Sequence, residues 1–83
     1  MAGPRRRRWQ PKRLPRKLLA IRQKLGVSQT EMAKLLELKV SYTVVSAFER
    51  GKQEPDLSIL LRYARLAGVS TDVLIDDKVR SLD

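Results

Sequence analysis

The apolar positions of the chain recur every three to four residues, in runs that glycines punctuate. Leu18, Ile21 and Leu25, with Leu19 beside them, have helical spacing, and Gly26 ends the run. Pro15 suits the first turn of that helix, where its missing N–H loses no partner. A second helix starts at Ser28-Gln29-Thr30-Glu31, a capping box in which the Ser hydroxyl accepts from the Glu31 N–H and the carboxylate reaches back to the Ser28 N–H. Its apolar face comprises Met32, Ala33, Leu35 and Leu36, and it is expected to run to about Leu38.

Residues 41–51, SYTVVSAFERG, are harder to place, because Val, Thr, Tyr and Phe are strand formers. A strand here has no second strand-like run of similar length to pair with. As a helix the segment is coherent: Val45 and Phe48 fall at i, i+3, Val44 and Phe48 at i, i+4, Ser41 is a candidate N-cap and Gly51 the left-handed stop. Asp56 then caps a fourth helix with Leu57, Leu60, Leu61 and Ala64 on one stripe, ending near Gly68. Ser70 opens a short fifth helix from Val73 to about Asp77. The pattern predicts an all-α, compact five-helix domain over residues 15–77, with a frayed tail at 78–83. Residues 1–14 hold two of the four prolines and no apolar period, and are expected to form a flexible arm.

Composition narrows the chemistry. At 83 residues the chain is one small domain, and with no cysteine and no histidine it excludes disulfides, the usual zinc ligand sets, and catalysis by Cys or by Ser activated through His. So short a chain cannot wall off a dry pocket of the usual volume, so neither an enzyme nor a cofactor is expected. Charge says more. Residues 1–17 carry eight bases and no acid, whereas residues 18–83 carry ten bases and nine acids, within a net charge of +9. A nearly neutral domain with a cationic arm seeks polyanions, nucleic acid before an anionic membrane surface. No apolar run reaches transmembrane length and no export signal follows the basic start, so the expected location is cytoplasmic and nucleoid-associated.

Taken in order, IRQKLGVSQTEMAKLL, VSYTVVSAFERGKQEP and LSILLRYARLAGVSTDVLI resemble the helix-turn-helix of the phage-repressor family, Cro and lambda-repressor-like, also called XRE-type. The resemblance covers roughly residues 18–75. It implies that helix two crosses the DNA backbone and helix three enters the major groove. By family position Tyr42, Thr43 and Ala47 then face base edges, with Val44 beside them and Ser46 free to donate. Val44 reads equally well as core. Thr43 and Ala47 suit thymine methyls, and none of these residues offers a bidentate fork, so readout leans on shape and apolar contact.

The resemblance further implies phosphate contacts for Gln29, Arg50 and Lys52, the last two reading otherwise as solvated charges, and an Arg22–Glu49 ion pair that orients helix three. One departure stands out. The family's turn glycine falls at position 37, which is Glu37, and the helix-three motif arrives two residues late, so either the turn or helix two is longer.

Arg5, Arg6, Arg7 and Arg8, with Trp9, are candidates to follow the DNA backbone or a narrow minor groove. The leading expectation is a sequence-specific regulator of transcription, a repressor, with double-stranded DNA as partner and no membrane. Homodimerisation through the C-terminal helices would use Leu66, Val73 and Ile75, residues that core packing explains equally well. The alternative is an antitoxin-type module whose partner is a small toxin protein. RNA or membrane binding through the arm alone is a third.

Overall fold

A computed structural model of the chain describes residues 11–38 and 42–79. Arg5, Arg6, Arg7, Arg8, Trp9, the cap candidate Ser41 and positions 80–83 of the expected tail lie outside the described residues. Five helices are present: α1 (Leu14–Leu25), α2 (Gln29–Leu35), α3 (Tyr42–Glu49), α4 (Leu57–Ala67) and α5 (Thr71–Ile75), with no strand among the described residues. The segment rich in strand formers is thus helical, and tertiary packing overrides its local preference. α1 is the central element, packing on α3, α4 and α5, while α2 packs on α3.

The core follows from one face of each helix. Leu14, Leu18 and Ile21 of α1 meet Met32 and Ala33 of α2, Val45 and Phe48 of α3, and Leu60, Tyr63 and Ala64 of α4. Phe48 and Tyr63 form an edge-to-face pair with centroids 6.4 Å apart, the arrangement that ring quadrupoles favour. The Tyr63 hydroxyl is buried with no hydrogen-bond partner among the described residues, and burial raises its pKa.

Several apolar positions differ from the expected faces. Leu14, expected in the arm, opens α1 and is buried, whereas Leu25 lies at the rim, 39% exposed. On α4 the buried stripe is Leu60, Tyr63 and Ala64, and Leu57 and Leu61 point outward. Leu60, Tyr63 and Ala64 keep the i, i+3, i+4 spacing of a helical face, with the large aromatic ring of Tyr63 fully buried on it. Leu35 is likewise on the outside of α2. The fifth helix starts earlier than expected, at Thr71, and ends at Ile75.

Helix two is also shorter than expected, ending at Leu35, so the extra length relative to the family falls in the connection to α3. The capping box at its start is formed, with Ser28 Oγ accepting from the Glu31 N–H at 3.1 Å and Glu31 Oε1 from the Ser28 N–H at 2.8 Å. At its end the Glu37 N–H donates to the Lys34 carbonyl and the Leu38 N–H to the Ala33 carbonyl, a Schellman closure. Such a closure needs a left-handed residue, and Glu37 takes it with φ +60°. Where α3 and α4 close in the same way, the left-handed residue is Gly51 or Gly68. Glu37 therefore does the geometric work of the family's turn glycine while carrying a Cβ that disfavours it. Glu37→Gly is expected to raise stability by about 0.5 kcal/mol, the steric relief exceeding the added entropy of the unfolded chain. Urea denaturation measures this; a loss of stability would mean that the Glu37 contact with Arg62, at 3.9 Å and largely exposed, matters more than such surface pairs usually do.

Candidate nucleic-acid interface

The 3.6-residue period divides α3 into two faces. Val45 and Phe48 point into the core, and on the opposite side Thr43 and Arg50 are exposed with Ser46 and Ala47 half-buried between them. Tyr42 lies on one flank of that outward face, half exposed. Val44 lies on the other flank and packs against the core, so the structure favours the core reading that was open for this residue. The outward surface is thus narrow and built of small side chains, with cations at its C-terminal end.

That end is held by the backbone. The Lys52 N–H donates to the Ala47 carbonyl at 2.9 Å and the Gly51 N–H to Phe48 at 3.2 Å, while Arg50 folds its Nε toward the Ser46 carbonyl at 3.4 Å. Gly51 is required twice over. Its φ is +72°, and a Cβ there would stand 3.3 Å from Pro15 Cγ, because the start of α1 presses on this turn. Arg50 and Lys52 are exposed on the resulting loop.

Glu49 anchors the other side of the helix. Its carboxylate accepts from Arg22 Nε at 2.7 Å, Arg22 Nη2 at 3.2 Å and Gln29 Nε2 at 3.1 Å, and Arg22 Nη1 also donates to the Val27 carbonyl at 3.0 Å. One carboxylate therefore joins α1, α2 and α3. The Glu49 side chain is 5% exposed and that of Arg22 19%, so solvent screens the pair little. Hydrogen bonding to Glu49 raises the Arg22 pKa against the opposing effect of burial, so the guanidinium stays charged at any working pH. Gln29, expected at phosphate, donates an amide hydrogen to Glu49.

A second polar cluster surrounds Lys17. Lys17 lies on the apolar face of α1, 3% exposed, and its ammonium donates to the carbonyls of Val73 at 2.6 Å and Asp76 at 2.9 Å. Desolvation lowers its pKa, opposed by the carboxylates of Asp77 and Asp76. The signal was present in the sequence, since a lysine between Leu14, Leu18 and Ile21 occupies a buried register, but nothing local names its partners.

The helix-turn-helix family model matches residues 18–74. Among solved structures, this chain is similar to the crystal structure of the P22 c2 repressor protein in complex with synthetic operator 9T in the presence of Tl+. The two share 26% identity over 77% of this chain and 94% of that chain, with a TM-score of 0.68. No curated protein matches. Among the described residues no helix is long and apolar enough to cross a membrane, and no group of three or more acidic side chains is placed to hold a metal ion.

Proposed function

The chain belongs to the helix-turn-helix family of phage-repressor type, and from that premise we propose that it binds double-stranded DNA sequence-specifically through α3 and represses transcription by occupancy. The observation that carries this reading is the outward face of α3. Thr43, Ser46 and Ala47 form a slim surface that a major groove about 12 Å wide admits, and the Glu49 network fixes its angle to the rest of the domain. Arg50 and Lys52 stand where a groove wall would bring phosphates, and Gln29 approaches the same wall from the start of α2. These contacts set register, while Thr43, Ser46 and Ala47, flanked by Tyr42, discriminate bases through methyl contact and shape. Resemblance to a repressor on its operator supports the repressor role.

The protein acts in the cytoplasm on the nucleoid, as a homodimer on a two-fold related site. Val73 is the most available of the three residues named for that contact, because Leu66 and Ile75 already pack against the core. Arg5, Arg6, Arg7 and Arg8 add affinity and salt dependence rather than sequence preference.

Fluorescence anisotropy with labelled duplexes of several sequences tests the backbone assignment. Arg50→Ala is expected to weaken binding to all of them alike and to lower the slope of log K against log salt by about one. A variant that loses affinity for some sequences and not others would move Arg50 from the backbone to a base edge.

A further inference from the structure

Away from α3, the segment that leads into α1 is clasped to the turn that follows α5. The backbone N–H groups of Lys12 and Arg13 both donate to the Asp77 carboxylate, each at 3.0 Å, and the Arg13 guanidinium donates to the Asp77 carbonyl. One turn further along, Lys17 holds the carbonyls of Val73 and Asp76, so the turn that carries Asp77 is itself tied down to α1. Because Asp77 grips main-chain atoms, it fixes the direction of the chain at residues 12 and 13, whatever their side chains do. On the opposite side, Pro11 and Pro15 line a cleft of 240 Å³ together with Gly51, Lys52 and Gln53 of the loop that follows α3. Pro11, the first described residue, therefore sits beside the cationic end of α3. Ten residues, four of them consecutive arginines, precede Pro11 in the sequence. Fully extended they span at most about 35 Å.

We propose that Asp77 is a positioning residue for DNA binding: by holding the backbone of Lys12 and Arg13 it anchors the root of the arginine-bearing segment beside the α3 loop. The proposal rests on α3 being the DNA-facing helix. A tether fixed next to the interface keeps the arginines at high effective concentration near phosphates that α3 has already brought close. Released from Asp77, the root wanders and that concentration falls.

The sign of the effect separates this role from simple electrostatics. Removing the Asp77 carboxylate deletes a negative charge, which alone strengthens DNA binding, whereas loss of positioning weakens it. The test uses the full chain and a labelled mixed-sequence DNA duplex titrated between about 50 and 200 mM salt. Four proteins are compared: the wild type, Asp77→Ala, the variant with Arg5, Arg6, Arg7 and Arg8 all changed to Ala, and the combination.

Asp77→Ala is expected to bind about threefold to tenfold more weakly at low salt, with a shallower salt slope, and to have no weakening effect once the four arginines are gone. Circular dichroism at the assay temperature checks folding; should Asp77→Ala not fold, Asp77→Asn, which keeps one acceptor oxygen, is read by the same criteria. Binding by the variant as tight as wild type or tighter overturns the proposal, as does equal weakening with and without the arginines, which marks a purely structural role. A wild type that binds no duplex overturns the DNA-binding reading as well.

Discussion

Thr43→Glu is expected to lower affinity for duplex DNA by about 100-fold while leaving the fold intact. Thr43 is exposed in the first turn of α3, so the substitution removes nothing from the core. A carboxylate in a first helical turn interacts favourably with the helix dipole, and thermal stability should therefore hold or rise slightly. In the proposed complex the same carboxylate enters a groove walled by phosphates, and like charges brought together at an interface cost several kcal/mol. The two effects have opposite signs on the two readouts, which makes the variant informative. Equilibrium binding by anisotropy and melting by circular dichroism measure them separately. Full DNA affinity in a folded Thr43→Glu protein would remove α3 from the interface.

The second large effect is on architecture. Glu49→Ala should destabilise the domain by about 2–3 kcal/mol, because it leaves the partly buried Arg22 guanidinium without its carboxylate and takes the acceptor from Gln29. For a domain of this size that corresponds to a fall in melting midpoint of roughly 10–20 °C. Glu49→Gln, which keeps the shape and an acceptor oxygen, should lose less. DNA affinity of the residual folded protein should also drop, since the same carboxylate sets the angle of α3 against α1 and α2. A cost below about 0.5 kcal/mol in urea denaturation would place the pair with ordinary solvated surface bridges.

Much of this architecture was legible in the sequence because it is written in local chemistry. The Ser28–Glu31 capping box, the Asp56 cap and the glycine stops at Gly26, Gly51 and Gly68 are short-range signals whose geometry a few residues decide. The helical state of residues 42–49 could be read too, though only by asking what a strand there would pair with. Less legible were features set by distant parts of the chain. Lys17 finds its acceptor carbonyl 56 residues away at Val73, and Asp77 finds the Arg13 N–H at a separation of 64. On α4 two apolar stripes share helical spacing, and the one that is buried, Leu60, Tyr63 and Ala64, is the one whose ring meets Phe48 from another helix.

Position 37 illustrates a different limit. The sequence shows a glutamate where the family has glycine, which suggests a changed turn. The structure keeps the left-handed geometry at that position, and α3 begins at Tyr42. Residue type indicates which conformations are cheap, but the Schellman hydrogen bonds and the packing of Leu36 and Leu38 decide which one is adopted. On α3, the sequence leaves Val44 open between groove and core, because it lies on the flank between the two faces, where it is partly buried against the core.

Selection of binding sites from random DNA duplexes, run in parallel on the wild type and on Thr43→Arg, addresses most directly whether α3 reads sequence. The expected result is a short enriched motif for the wild type and a changed motif for the variant, since an arginine placed at that position offers a guanine-reading fork. Recovery of no motif by the wild type, or of the same motif by both proteins, would contradict sequence readout through this helix.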